Sequence, residues 1–388
     1  MNAPTGTAPL RLGMVGGGRG AFIGAVHRMA ARLDGHYHLV AGALASDPAR
    51  AVASALELGI AGDRAYPDYA TMATRERARP DGIDAVAIVT PNDSHYPIAR
   101  AFLEAGIHVI CDKPMTTTLA DAQALAEQVQ CSGLVFVLTH NYSGYPLVRE
   151  ARERVRRGDI GTVRVAQVEY PQDWLTRRVE DSGQKQAAWR VDPARAGRGG
   201  AIGDLGTHAH QLLRFVTGLE VDEVSANLAA VVPGRTLDDD AQVLMRLSNR
   251  ARAMLWVSQV CPGNQNGLRI RVYGDRGGLE WAQEEPNSLR VSRLDAPSTT
   301  LFRAGPELST AAAAATRIPP GHPEGYLEAF AQIYSDAATL IRVADARMAA
   351  SAHTRLVPGV QDGVAGARFV EACVASSAAG GRWVSAQP

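Results

Sequence analysis

Two patterns of apolar positions divide this chain. Up to about residue 150, short runs apolar on both faces alternate with stretches of helical period. Leu10–Val15, Tyr37–Leu44, Ala85–Val89, His108–Ile110 and Leu134–Leu138 read as strands. Ala25–Leu33, Pro48–Leu58, His95–Ala105 and Leu119–Gln130 read as helices between them. Strands buried on both faces and separated by helices predict a parallel sheet covered on each side. Right-handed crossovers then make it doubly wound. Beyond residue 150 the period changes. TVRVAQVEY, residues 162–170, alternates apolar and polar positions as a half-buried strand does. VDEVSANLAAV, AQVLMRLS, ARAMLWVSQV and LRIRVYG follow, with short turns such as Ser248-Asn249 and no helix between them. They predict a mostly antiparallel sheet. Residues 284–318 lack a period and contain STAAAAAT, which predicts a long loop. Helical period returns at Pro323–Val343 and at Asp362–Ser376, and no internal repeat is visible.

The expected fold class is therefore α/β. A doubly wound parallel sheet occupies residues 1–150. An α+β domain with a large, mostly antiparallel open sheet occupies residues 151–354. The last helix and strand, from about residue 355 to 388, are expected to pack back on the first domain.

Composition narrows the class. Apolar residues make up 46% and charged residues 21%, ordinary for a globular protein. Lysine plus arginine and aspartate plus glutamate each number 40, so the formal net charge is zero. No nucleic-acid partner is expected from that balance. Cys111, Cys131, Cys261 and Cys373 are scattered, without metal-ligand spacing and too sparse for a disulfide scaffold. The opening segment MNAPTGTAPLRLG has no charged region followed by an apolar one, and no apolar run would span a bilayer. The expectation is a cytoplasmic protein with no bound metal and no membrane partner.

The first strand runs into GMVGGGRGAFIGAVH, residues 13–27. Glycines between a strand and a helix let the backbone approach a diphosphate, which the helix N-terminus then receives. Gly16-x-Gly18-x-x-Ala21 is one reading of this fingerprint. In the other, Gly24 is the third glycine and Arg19-Gly20-Ala21 is an insertion. Both place Gly16, Gly18, Arg19, Gly20, Ala21, Phe22 and Ile23 beside a dinucleotide. An acid at the end of the second strand would read the adenosine ribose and select NAD. Ala45 stands there instead, followed by Ser46, Asp47 and Arg50. Asp47 reads as the cap of the next helix, with a swing toward the ribose as its alternative. Ser46 and Arg50 suit a 2′-phosphate, so NAD or NADP both stay open.

A greasy run ending at residue 111 stops abruptly in Asp112-Lys113-Pro114. Further on, GRGGAIGDLGTHAH carries Asp204 and His208, four residues apart and so on one face of a helix. A carboxylate beside an imidazole can orient it and keep it basic. An ordinary surface pair has the same spacing.

These motifs, in this order, resemble the glucose-fructose oxidoreductase / inositol dehydrogenase (Gfo/Idh/MocA) family. That family carries T-P-N-x-x-H after its fourth strand, and Thr90-Pro91-Asn92-Asp93-Ser94-His95 matches in full. It carries E-K-P at the end of its fifth strand, where this chain has Asp for Glu. It carries a glycine-rich run leading to D-x-G-x-H, matched by Asp204-Leu205-Gly206-Thr207-His208. VQDGVAGARFVEACVASSAAGGRWV looks like its last helix and strand. The glycine loop is longer than the minimum, and His210 stands where many members have an acid.

The resemblance implies a Rossmann domain and a hydride passed between a nicotinamide and a secondary hydroxyl carbon of a sugar, polyol, inositol or glycoside. His208 would be the general base. Lys113 would hydrogen-bond the same oxygen and steady the alkoxide. Asp204 would hold the substrate or His208. Thr90, Pro91, Asn92, His95, Asp112 and Lys113 would line the cofactor, with Asn141 near the nicotinamide. Substrate-pocket candidates are Tyr142, Gln172, Trp174, Trp189, Arg190 and His322, although Trp174 and Trp189 read equally well as core. A glycosidase that oxidises its sugar transiently would carry the same motifs. A non-catalytic dinucleotide sensor would lack Lys113 or His208, and both are present. A sheet with one uncovered face further implies a homodimer or homotetramer formed through it.

Overall fold

The structure is a computed structural model that describes residues 8–346 and 356–387. The expected domain boundary at 354/355 and the first residues of the N-terminal segment lie outside the described residues. The chain divides into two compact units. One comprises Met1–Thr116, Ala120–Gly144 and Tyr326–Val364; the other comprises Thr117–Leu119, Tyr145–Gly325 and Ala365–Pro388.

The first unit is a parallel sheet of five strands: β1 (Leu10–Gly16), β2 (Tyr37–Ala43), β3 (Ala85–Val89), β4 (His108–Cys111) and β5 (Phe136–Leu138), in the order β2-β1-β3-β4-β5. Each strand expected from the apolar runs is there within two residues. The strand ending at Asp112 is the fourth, however, and Thr90 follows the third, not the fifth and fourth as expected. The missing strand is reduced to one parallel bridge, Gly42 to Ala65. Pro67 has no N–H to extend a ladder, and Asp68 already caps the helix Tyr69–Ala78 by accepting from the Thr71 N–H at 2.7 Å. That helix escaped notice because its sequence has no apolar stripe. The core packs Leu12 and Met14 of β1 with Val26 and Ala30 of the helix Phe22–Leu33 and with Phe330, Ile333, Tyr334, Ala337 and Ile341. The last five lie on the helix Tyr326–Asp345, which was expected in the second domain and instead completes the first unit's core.

The second unit is built on a nine-stranded sheet. Its strands are β6 (Val163–Pro171), β7 (Val221–Ala229), β8 (Asp240–Leu247), β9 (Arg252–Ser258), β10 (Arg269–Gly274), β11 (Gly277–Ala282), β12 (Ser288–Arg293), β13 (Thr299–Phe302) and β14 (Val384–Ser385). The order is β13-β12-β11-β10-β6-β9-β8-β7-β14, antiparallel except where β6 meets β9. Residues 284–318 are not a long loop. They form β12, β13 and the helix Thr310–Ala314. The buried Arg303 guanidinium ties this segment down, donating to Asn287 Oδ1 and Glu324 Oε1, each at 2.8 Å, and to the Ile318 carbonyl at 2.7 Å. Of the closing segment, the residues up to Val364 join the first unit as expected, with the Leu138 N–H donating to the Pro358 carbonyl at 2.9 Å, while Ala365–Pro388 belong to the second. β14 pairs with β7, and the Ala226 and Leu228 N–H groups donate to Ser376 and Ser377 Oγ at 2.9 and 3.0 Å. Those donors sit on the sheet's open edge, and the last helix satisfies them.

One face of this sheet is less apolar than expected. Val165, Leu244, Met254 and Tyr273 form an exposed band, Leu244 directly opposite Met254 and Val165 opposite Tyr273. Arg246, Arg252, Gln167 and Arg271 share the face with them.

Candidate active site

In the first unit the motifs converge at one edge. All five strands point their carboxyl ends the same way, so Gly16, Ser46, Thr90, Asp112 and Asn141 follow successive strand ends. Ligands bind at this edge in open parallel sheets.

The glycine loop decides between its two readings. Gly16 and Gly17 turn with φ of +79° and +74°. The Gly18 N–H donates to the Leu44 carbonyl at 3.0 Å and closes the loop on the end of β2. A Cβ on Gly24 would lie 2.3 Å from Gly17 Cα, so Gly24 supplies the close helix–loop packing of a third glycine. Arg19-Gly20-Ala21 is the insertion, and Arg19 pairs there with Glu57. The helix that follows begins at Ala21 with no side-chain cap. Its first N–H groups, from Phe22 onward, therefore have no side-chain acceptor, which suits an anionic diphosphate.

Asp47 is a cap. Its Oδ1 accepts from the Arg50 N–H at 2.7 Å. Ser46 and Arg50 are exposed beside it. Thr90 Oγ1 accepts from Ser94 Oγ at 2.8 Å within the Thr90–Ser94 turn, while Asn92 is buried. His95 is turned inward. Its ring is buried, with Nδ1 2.7 Å from the Pro114 carbonyl oxygen and Nε2 2.8 Å from that of Thr90. Each nitrogen faces a backbone carbonyl, to one of which a neutral ring donates, and the ring sits between the turn after β3 and the turn after β4. There the Lys113–Pro114 peptide is cis. The Asp112 Oδ1 accepts from the Lys113 N–H at 2.9 Å and from Thr139 Oγ1 at 3.0 Å, fixing the turn that presents Lys113. Beneath it lies His27, fully buried, with Nε2 3.9 Å from Asp112 Oδ1. Asn141 and Tyr142 are buried in the short turn after β5. The Asn141 Nδ2 amide has no acceptor. A buried donor left unsatisfied costs about 1–3 kcal/mol, which a bound acceptor would remove. The loop, the uncapped helix and this amide all fit a dinucleotide.

The second unit holds the remaining candidates. His208 is buried in the helix Thr207–Thr217, edge-on to the Tyr170 ring at 6.2 Å. Asp204 lies one turn earlier, in a stretch wound as a π-helix, Ile202–Gly206. Four residues are still roughly one turn of this wider winding, so Asp204 and His208 keep a common face. The Asp204 Oδ2 accepts from Arg190 Nε at 3.2 Å and Gln259 Nε2 at 3.1 Å. Arg190 in turn lies over Trp189, 4.2 Å from its centroid, and 5.7 Å from that of Trp174. Neither tryptophan is core; both are half-buried walls around a guanidinium. Gln172 Nε2 donates to Asn266 Oδ1, which also accepts from the Tyr170 hydroxyl. His210 packs flat on Phe369, ring centroids 4.3 Å apart. His322 is exposed and is anchored through its backbone, its carbonyl accepting from Arg303 and its N–H donating to the Pro319 carbonyl at 3.4 Å. Gln259 carried no signal in the sequence, since a glutamine just past a strand belongs to no motif.

The same two units are matched by family models. Residues 10–142 match an oxidoreductase family with an NAD-binding Rossmann fold, and residues 148–280 match the GFO/IDH/MocA C-terminal domain. An uncharacterised oxidoreductase of Bacillus subtilis (strain 168), YfiI, is 36% identical over 382 residues, covering 97% of this chain and 96% of its own. The chain belongs to the Gfo/Idh/MocA family of oxidoreductases. A solved oxidoreductase from Sinorhizobium meliloti shares 53% identity with this Gfo/Idh/MocA member, with a TM-score of 0.89 over 97% of this chain and 100% of that one. An inositol dehydrogenase homologue from Azotobacter vinelandii, solved with NADH and myo-inositol, is 36% identical with a TM-score of 0.91 over 98% of each chain. Among the described residues no helix is long and apolar enough to cross a membrane, and no three His, Cys, Asp or Glu side chains are grouped to hold a metal.

Proposed function

We propose that this protein is an NAD(P)-dependent dehydrogenase acting on a secondary hydroxyl of a sugar, inositol, other polyol or glycoside. The observation that carries the reading is the near full-length relative solved with NADH and myo-inositol together, set beside the same motifs in this chain. Bound NAD(P) supplies the hydride acceptor. The N–H groups at the start of the helix Phe22–Leu33, which no side chain caps, would hold its diphosphate, and the Asn141 amide would donate to the cofactor. His208 takes the hydroxyl proton. Lys113 has the role of a donor to a substrate oxygen, steadying the charge that develops there. Asp204, held by Arg190 and Gln259, keeps the ring hydroxyls in register. The Trp189–Arg190–Trp174 wall offers apolar faces and a donor fork, both suited to a sugar ring.

The exposed band of Val165, Leu244, Met254 and Tyr273 supports assembly into a homodimer or homotetramer through this sheet face, with no membrane or nucleic-acid partner. A working place in the cytoplasm fits its need for NAD(P). Sedimentation as a monomer at micromolar concentration would sink the assembly reading.

The activity is tested by incubating the protein with NAD or NADP and a panel of sugars, inositols and glycosides. Reduced nicotinamide should accumulate with at least one free polyol or sugar. Glycoside cleavage without net reduction would instead make it a transiently oxidising glycosidase. Cofactor binding with no turnover of any kind would make it a sensor.

A further inference from the structure

The segment that carries Asp204 and His208 is held at its start by a side chain the motifs do not include. The Asp238 Oδ1 accepts from the Gly200 N–H and Oδ2 from the Ile202 N–H, both at 2.7 Å. The Asp238 carbonyl accepts from the Ala201 N–H, also at 2.7 Å. These donors open a run wound helically from Ala201, through the π-turn Ile202–Gly206, into Thr207–Thr217. No side chain of that run caps it. We propose that Asp238 is the positioning residue of the catalytic segment: a cap supplied from outside the helix, which fixes the π-turn and with it the placement of Asp204 and His208.

Three features support this. Two backbone donors on two different oxygens need an ionised carboxylate, and a charge at a helix N-terminus is favoured by the helix dipole. Gly200 is required by the grip, since a Cβ there would lie 2.0 Å from the Asp238 carbonyl oxygen. The next residue along continues the same construction: the Gln259 N–H donates to the Asp239 carbonyl at 2.8 Å, and Gln259 Nε2 holds Asp204. The grip and the far side of the Asp204 carboxylate are thus set by consecutive residues.

The carboxyl is almost fully buried. Burial pushes it up to about 6, against the pull of the Ile202 and Gly200 N–H groups, and neighbouring Asp239 adds to the rise. The Cys373 thiol on the last helix also faces it and is held neutral by burial. Asp239 is itself paired with Arg235 at 3.2 Å. Protonation of Asp238 relieves the cost of burying its charge, yet takes one acceptor from the pair and so weakens its grip on the start of the segment.

The proposal rests on His208 being the base, so His208→Ala is measured beside Asp238→Asn. Asparagine keeps the shape but turns a donor toward one of the two N–H groups. The expected result is a fall in kcat of about 10- to 100-fold, with the Kd for NAD unchanged. Amide exchange should speed up at Gly200–Gly206 only. The acid limb of log kcat should be shallower by one proton in Asp238→Asn than in the wild type. Wild-type kcat in Asp238→Asn overturns the proposal. So does a loss shared equally by NAD binding and exchange throughout the chain, which would make Asp238 a general fold residue. A silent His208→Ala sinks the functional reading instead, whatever Asp238→Asn does.

Discussion

His27 Nδ1 and the Tyr334 hydroxyl oxygen lie 2.8 Å apart in a wholly buried pocket of the first unit. Desolvation pulls the imidazole down to about 4, although Asp112 works the other way. The ring is therefore neutral, and its 3.9 Å approach to Asp112 is not an ion pair. A hydrogen on Nε2 facing the carboxylate is the favourable tautomer, so the Tyr334 hydroxyl donates to Nδ1. The unfolded chain protonates His27 below its ordinary value of 6.5, while the folded chain resists until about 4. Stability tied to this group is whole above that window and is lost as pH falls through it, by about 3 kcal/mol at most. Asp238 has the opposite sign: its folded value is raised, so its contribution is present at low pH and is lost as pH rises toward 6. Urea unfolding between pH 4 and 7 should show His27→Gln losing less stability on acidification than the wild type. Equal slopes would mean that His27 is not buried neutral. Tyr334→Phe should cost about 1–3 kcal/mol at neutral pH, since it strands Nδ1.

Replacing His208 by Ala should lower turnover by roughly two to four orders of magnitude, the usual worth of a positioned base. Fluorescence titration should find NAD binding intact. Turnover within threefold of wild type would remove His208 from the mechanism.

Gly24→Ala tests the loop. The added methyl would lie 2.3 Å from Gly17 Cα, and no flexible side chain is there to yield. Overpacking of this kind costs about 1–3 kcal/mol. Because it moves the loop that faces the diphosphate, NAD affinity should drop by about tenfold or more, read by titration. An unchanged Kd would show that the loop does not carry the cofactor.

Cofactor choice turns on Ala45. With Asp47 occupied as a helix cap, no acid at the end of β2 is free to repel a 2′-phosphate. Both NAD and NADP should therefore be used. Ala45→Asp should shift preference toward NAD by roughly 1–3 kcal/mol, measured as the ratio of kcat/KM for the two cofactors. A ratio that does not move places ribose reading on another residue.

The five parallel strands were legible because residues buried on both faces leave unbroken apolar runs, as in AVAIV of β3. Tyr69–Ala78 was not, because its helix rests on a cap and two buried ion-pairing side chains, Arg64 and Glu76, not on an apolar stripe. Lys113, Asp204 and His208 announced themselves through short, fixed spacings. Gln259 and Asp238 act on the segment of Asp204 and His208 from 55 and 34 residues' distance from Asp204. Such partners are set by strand register, which no local pattern records. His95 misled for a related reason: its motif marks where the ring stands, while its direction is decided by the Thr90 and Pro114 carbonyls.

The helix Tyr326–Asp345 has a consequence for how the protein is made. A ribosome that has delivered β1 to β5 has delivered only part of the first unit. Phe330, Ile333, Tyr334 and Ile341, which cover Val26 and Ala30, come almost two hundred residues later. Until then the nascent sheet has an uncovered apolar flank, the condition under which growing chains attract chaperones or aggregate. A fragment cut near residue 150 should accordingly be insoluble, and should be rescued by supplying the late helix in trans.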